Sequence, residues 1–254
     1  MLLAVDVGNT QTHVGAFDGA ELARDWRLAT EPRATADELV ATLATLLRVD
    51  GLELAALDGA IVSTVVPQLE PEYERLCRRH IGGSFLIVGP NLRTGMPIRV
   101  ENPHELGADR LVNAVAAYER VGGACVAVDF GTSTNFDVVS PAGEYLGGVI
   151  GPGVEISLEV LHARAAKLPR IDLSAPRAAI GRHTQAAIES GFAYGFAGLV
   201  DGINRRLAGE LDTQPTFLAT GGLAPTIAPL CETIDEVDEL LTLRGLRLIH
   251  DKNS

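Results

Sequence analysis

The chain has 254 residues, 46% of them hydrophobic, a mean hydropathy of +0.17 and a formal net charge of −12. That is apolar material enough for one large domain or two closely packed ones, and the acidic balance argues against nucleic acid or an anionic membrane as the main partner, since both need a basic face. No apolar run reaches the roughly 18–20 residues of a membrane span, and residues 1–5 meet Asp6 too early for a secretory signal, so the expected compartment is the cytoplasm. Cys77, Cys125 and Cys231 are odd in number and far apart, which suits a reducing compartment and a packing role.

In chain order, the apolar run at residues 2–5 ends in Asp6-Val7-Gly8-Asn9-Thr10, a strand entering a tight turn. Residues 12–17 make the return strand, and Asp18-Gly19 is a two-residue turn into a third strand at 21–28, so the chain opens as a meander. After a loop at 30–33, Thr35 and Glu38 form a capping box ahead of Leu39, Val40, Leu43, Leu46 and Leu47 at helical spacing, and that helix stops before Asp50-Gly51. A β-branched run at 60–66, an amphipathic helix at 68–79 and an apolar strand at 84–88 predict a parallel pair in an α/β sheet. Residues 90–103 read as a connector with a short extended piece at 98–100. The segment from Glu105 to Arg110 then opens a helix with Asp109 and Arg110 both in its first turn. The helix dipole favours the aspartate there and disfavours the arginine, so Arg110 points to an anion nearby.

The second half begins with an apolar run from residue 124 that stops at Asp129 and turns through Phe130, Gly131, Thr132, Ser133 and Thr134. A return strand at 136–140, a turn at 141–143 and a third strand at 144–150 repeat the opening meander. Strand, aspartate, apolar residue, glycine and small polar residue thus recur about half a chain length apart. This pattern predicts two lobes of like topology, each donating one Asp/Gly hairpin to a shared cleft. Turn amides beside hydroxyls form a concavity for phosphate, and a carboxylate next to phosphate serves to hold a cation or its water shell.

Gly147, Gly148, Gly151 and Gly153 lack the spacing of a dinucleotide fingerprint, and no P-loop signature occurs. A helix is expected at 154–166, a loop at 168–181, and a long helix from a Thr184 cap to about residue 211. Gly191, Gly195, Gly198 and Gly202 along it suit either an intrachain helix crossing or a subunit contact. A strand at 217–219 runs into Thr220-Gly221-Gly222, where backbone can lie flat against an adenine or ribose. A short helix at 223–234 and mixed signals at 237–248 close the chain. The six histidines show neither zinc spacing nor a Ser/His/Asp order; His104 and His183 can line a cleft, but surface or packing roles fit them better.

These motifs, in this order, resemble the acetate and sugar kinase, Hsc70 and actin superfamily, and within it the type III pantothenate kinases. The likeness is carried by Asp6-Val7-Gly8-Asn9-Thr10, Asn102-Pro103 ahead of Gly107-Ala108-Asp109-Arg110, Asp129-Phe130-Gly131-Thr132, Gly147-Gly148 with Pro152-Gly153, Gly181 with Thr184, and Thr220-Gly221-Gly222. The resemblance implies an α/β fold of two ribonuclease-H-like (actin-like ATPase) lobes with a central cleft, at residues 1–103 and 104–254. It implies ATP-dependent phosphorylation of pantothenate to 4'-phosphopantothenate, the first step of coenzyme A biosynthesis, by a homodimer with its substrate site near the subunit interface. By the same likeness, Asp6, Val7, Gly8, Asn9, Thr10, Gln11, Thr12 and His13, with Thr132, Gly221 and Gly222, hold ATP. Asp6 would stand at Mg2+ and Asp129 at a monovalent cation, K+ or NH4+. Val100, Gly107, Ala108, Asp109, Arg110 and Thr184 would bind pantothenate, with Asp109 the general base. Many relatives carry Tyr where Val100 stands, so an aromatic or hydroxyl contact is missing here. Two other classes share these features: a non-catalytic accessory or regulatory relative, against which intact Asp6, Asp109, Arg110 and Asp129 count, and a superfamily phosphohydrolase or kinase of another small alcohol.

Overall fold

Two short strands, each buried along nearly its whole length with side chains alternating between two faces, set the plan of the molecule, for which a computed structural model describes residues 1–89, 92–165 and 168–254. In β1 (Leu2–Val7), Leu3, Val5 and Val7 turn into a core on one face and Asp6 turns to the other. β2 (Gln11–Asp18) and β3 (Glu21–Ala29) continue antiparallel, while β4 (Gly59–Thr64) joins β1 in parallel and β5 (Ser84–Ile87) joins β4 likewise. The order is β3-β2-β1-β4-β5. Leu43 and Leu47 of α1 (Ala36–Val49) and Tyr73 and Leu76 of α2 (Glu70–His80) cover the apolar face. α1 starts on the capping box the sequence spells, Glu38 accepting from the Thr35 amide at 2.8 Å.

The second sheet repeats this order strand for strand. β6 (Cys125–Phe130), β7 (Ser133–Val139) and β8 (Tyr145–Pro152) form the antiparallel meander, and β9 (Thr216–Thr220) and β10 (Glu236–Val237) add in parallel on the other side of β6, giving β10-β9-β6-β7-β8. Val126, Val128 and Phe130 pack against Val154 of α4 (Val154–Arg164) and Phe196 and Val200 of α5 (Thr184–Glu210). Asp129 therefore occupies on β6 the place Asp6 occupies on β1. The remaining helices are α3 (Ala108–Val121), α6 (Ala224–Ile227) and α7 (Leu241–Asp251).

The chain divides into two compact units, and neither is a continuous half: the first comprises residues 1–96, 102–116 and 242–254, the second 97–101 and 117–241. The division is interleaved in sequence. Its cause is close packing inside the first unit. A Cβ on Gly15 of β2 would lie 2.9 Å from Leu243 Cδ1 of α7, and one on Gly245 would lie 2.4 Å from the Val112 carbonyl oxygen of α3. Thr242 Oγ1 donates to Asn113 Oδ1 at 2.7 Å across the same two helices. Residues this distant in sequence carry no local signal that they meet.

Two further expectations change. The N-cap of α5 is His183, not Thr184: His183 is extended (φ −148, ψ 164) and its Nδ1 accepts from the Ala186 amide, whereas Thr184 is already helical. The helix expected at 223–234 stops after one turn of α and one of 3-10 geometry, because Pro229 has no amide to continue it and buried Asp201 draws the following chain away. Asp201 accepts from the amides of Glu232 and Thr233 and from Thr233 Oγ1 at 2.7–3.0 Å. Finally, Cβ atoms placed on Gly191, Gly195 and Gly198 meet nothing within 4 Å, one on Gly202 would lie 3.4 Å from Arg206 Nη1 of the same helix, and Gly191 and Gly195 line an apolar hollow with Ser157 and Leu161 of α4.

Ala166, the expected end of α4, and Pro90, the expected start of the connector, lie outside the described residues. The extended piece at 98–100 is a single parallel bridge from Ile98 to Tyr145. Burial pushes the thiols of Cys77, Cys125 and Cys231 up to about 12, which keeps them protonated and inert. Among the described residues no helix is long and apolar enough to cross a membrane.

Replacing Asp201 strips three donors of their acceptor inside the second unit. Asp201→Ala is expected to lower the unfolding free energy by about 3 kcal/mol in a urea titration; a loss below about 1 kcal/mol would show that the bonds to the 232–233 segment are dispensable.

Candidate active site

In the first hairpin the carbonyls of Gly8, Thr10 and Gln11 all accept hydrogen bonds from the protein. Val7 is buried in the core, and the exposed residues of the segment are Asn9, Thr10 and Gln11, at the tip. Gly8 N donates to Gln11 O at 3.0 Å across the turn, and a Cβ on Gly8 would sit 2.9 Å from that same oxygen. Register sets Asp6 directly beside His13 on β2 and Ser63 on β4, all on the face away from the first core. His13 is buried and its Nε2 meets Asp25 Oδ2 at 2.7 Å. Thr12, expected among the ATP contacts, is also buried, its hydroxyl 2.9 Å from that of Thr30. Of the segment 6–13, then, Asp6 and the 8–11 turn are the parts offered to a ligand.

Thr30 had no place in the sequence reading except as the start of a loop. It donates twice to the hairpin, its amide to Thr10 O at 2.9 Å and its hydroxyl to Gly8 O at 2.8 Å. Only the β2–β3 register, which pairs Gln11 with Ala29, brings it there.

The same unit holds Gly107, Ala108, Asp109 and Arg110 at the start of α3, all half-buried. The Asp109 carboxylate folds back onto its own helix end: Oδ1 accepts from the Arg110 amide at 2.8 Å, and a Cβ on Gly107 would lie 2.6 Å from that oxygen. Glycine at 107 is what leaves the carboxylate room. Burial pushes the Asp109 carboxyl above its ordinary value, against the smaller opposing pull of the Arg110 amide and guanidinium. A half-buried carboxylate with a raised pKa is a better proton acceptor than a solvated one.

In the second unit, Asp129 is flanked in register by Asn135 of β7 and Thr220 of β9. The turn closes by Gly131 N donating to Ser133 O at 3.1 Å, and Thr132 is exposed at its tip. Two glycines press on this hairpin from neighbouring strands. Gly221, at φ +92, would place a Cβ 2.4 Å from Asp129 Oδ1 and 2.7 Å from the Phe130 backbone; Gly153 would place one 1.9 Å from the Thr132 carbonyl oxygen. Asp129, Thr132, Gly153 and Gly221 therefore form one cluster, with Gly222 exposed and open beside it. Thr184 lines an apolar hollow of about 540 Å3 with Leu161, Phe192, Phe196 and Leu199, and Val100 lies against Gly147 of β8.

A family model describing type III pantothenate kinases matches residues 2–206. The chain belongs to that family. It is 51% identical to the type III pantothenate kinase of Anaeromyxobacter sp. (strain K) and 47% identical to that of Moorella thermoacetica, in each case over 100% of both chains. Among solved structures it is similar to the activator of the 2-hydroxyisocaproyl-CoA dehydratase from Clostridium difficile with bound ADPNP, at a TM-score of 0.55 and 10% identity, covering 99% of this chain and 95% of that one. The fold is accordingly the actin-like ATPase fold, with two ribonuclease-H-like lobes. Membership in the type III pantothenate kinases makes the chain an enzyme, a kinase that phosphorylates pantothenate in coenzyme A biosynthesis.

The raised carboxyl of Asp109 has a thermodynamic consequence. Because its folded-state pKa lies above the unfolded value, its charge costs stability at neutral pH, and the cost disappears below the unfolded pKa. Asp109→Asn, whose Oδ1 still accepts from the Arg110 amide, is expected to melt above the parent at pH 7 and level with it near pH 3; a lower melting temperature at pH 7 contradicts the burial argument.

Proposed function

We propose that Asp109 is the general base of this pantothenate kinase and that the hairpin at residues 6–13 cradles the phosphates of ATP. The observation that carries the reading is the Asp109 carboxylate: half-buried, raised in pKa, fixed by the Arg110 amide and given room by Gly107. Asp109 takes the proton from the primary hydroxyl of pantothenate as that oxygen attacks the γ-phosphorus, and Arg110 supplies positive charge beside it. Phosphoryl transfer asks for alignment and charge neutralisation more than covalent catalysis, so the rest of the site has to position. Gly8, Asn9, Thr10 and Gln11 offer turn backbone to phosphate, with Asp6 behind them. Thr132, Gly221 and Gly222 serve the nucleotide, and Gly107, Ala108, Arg110, Thr184 and Val100 the pantothenate. Val100 offers methyl contacts and no hydroxyl.

The donor set fits cations that arrive with phosphate. Among the described residues no three His, Cys, Asp or Glu side chains cluster as a metal cage, and each hairpin instead has one strand-end carboxylate. Asp6 suits Mg2+ held through phosphate and its own water shell, and Asp129 suits K+ or NH4+. Bound there, the cations neutralise charge on the transferring phosphoryl group.

The open glycine face of α5 and the apolar hollow beside it support a homodimer, and the inert thiols suit a cytoplasmic enzyme.

Purified protein should release ADP from ATP and Mg2+ only when pantothenate is present, faster in potassium or ammonium than in sodium buffer, with 4'-phosphopantothenate identified by mass. Asp109→Asn should lower kcat by about 10²- to 10⁴-fold with ATP binding retained, and Gly107→Ala by about a hundredfold through displacement of the carboxylate. In the parent, kcat/KM should fall with decreasing pH at a value above about 3.9, where an ordinary aspartate titrates. Normal turnover by Asp109→Asn removes the base assignment.

A further inference from the structure

The 8–11 turn does not hold its shape alone. The carbonyls of Gly8 and Thr10 are both taken by one residue, Thr30, through the hydroxyl at 2.8 Å and the amide at 2.9 Å. The Thr30 hydroxyl also lies 2.9 Å from that of Thr12. A hydroxyl carries one proton, so with Thr30 donating to Gly8 O it is Thr12 that donates to Thr30. Thr12 in turn is hydrogen-bonded to the phenol of Tyr73, a fully buried side chain of α2, and with the Thr12 proton given to Thr30 it is Tyr73 that donates. A line of hydroxyls therefore runs from the core, through Tyr73, Thr12 and Thr30, to the carbonyl of Gly8.

The electrostatics say what this line is for. A carbonyl oxygen turned toward a phosphate repels it, whereas an amide N–H attracts it. Engaging the carbonyls of Gly8 and Thr10 on the protein side leaves the other edge of the turn for an anion. The amide of Thr30 would pin one carbonyl whatever residue stood at 30; the pin on Gly8 needs a hydroxyl at this place. We propose that Thr30 is a positioning residue for nucleotide binding, acting through the Gly8 carbonyl without touching ATP; this rests on the reading of residues 6–13 as the phosphate hairpin.

The test compares Thr30→Val, which keeps the shape and loses the hydroxyl, with Thr30→Ser, which keeps the hydroxyl. Steady-state kinetics with each substrate varied should show Thr30→Val raising KM for ATP by about fivefold or more, as the loss of one net hydrogen bond implies, with KM for pantothenate unchanged. Thr30→Ser should return KM for ATP to within about twofold of the parent. Tyr73→Phe, which removes the far hydroxyl inside an intact core, gives a second reading if Thr30→Val folds poorly, and should shift KM for ATP alone. Asp6→Asn is the control. If it impairs ATP use while Thr30→Val and Tyr73→Phe leave KM for ATP at the parent value, the positioning role is wrong and the hairpin reading stands. If Asp6→Asn is also without effect, the hairpin reading itself fails. An equal rise in both Michaelis constants, unrescued by serine, overturns the inference in favour of a structural role.

Discussion

Everything in this structure depends on a carboxylate standing at the end of a buried strand. The alternation that turns Leu3, Val5 and Val7 into one core leaves Asp6 on the opposite face, and the alternation of Val126, Val128 and Phe130 does the same for Asp129. A charge so close to a core needs polar neighbours and a route to a counter-ion. The register supplies the neighbours, His13 and Ser63 in one case, Asn135 and Thr220 in the other. In a kinase, the cations proposed to accompany ATP would supply that counter-ion.

The two copies solve the same problem with different parts. In the first unit the turn is shaped by hydrogen bonds, chiefly those of Thr30. In the second it is shaped by steric fit: Gly221 and Gly153 come so close to Asp129 and Thr132 that any side chain at either place would overlap them. The Asp109 carboxylate obeys the same rule on a smaller scale, since Gly107 gives it the room to lie against the Arg110 amide. Gly107 and Gly221 thus stand where a side chain would meet a carboxylate oxygen, while Gly191 and Gly195 of α5 line an apolar hollow.

Much of this could be read without coordinates because it is local. The two meanders, the capping box of α1 and the parallel β4–β5 pair follow from alternation and turn chemistry within a few residues. The N-cap of α5 is not legible in the sequence because imidazole does at His183 what a threonine hydroxyl does more often. The end of α6 was missed because its cause, Asp201, lies some thirty residues upstream. The interleaved units and the part played by Thr30 were illegible for the same reason: α7 meets α3 through Gly245, and Thr30 meets Gly8 through a strand register, neither of which has a short-range pattern. The residue roles expected at the site rest on family resemblance, and the structure adds the physical terms, namely burial at Asp109, close approach at Gly107 and Gly221, and engaged carbonyls at residues 8 and 10.

The duplicated strand-end carboxylate is the claim on which the account turns, and titration calorimetry of magnesium-ATP into Asp6→Asn and Asp129→Asn measures it most directly. Each variant, folded and with an unchanged melting profile in the other unit, is expected to bind at least about tenfold more weakly than the parent. Parent-like affinity in either one would contradict the account, because one of the two hairpins would then have no part in holding the nucleotide.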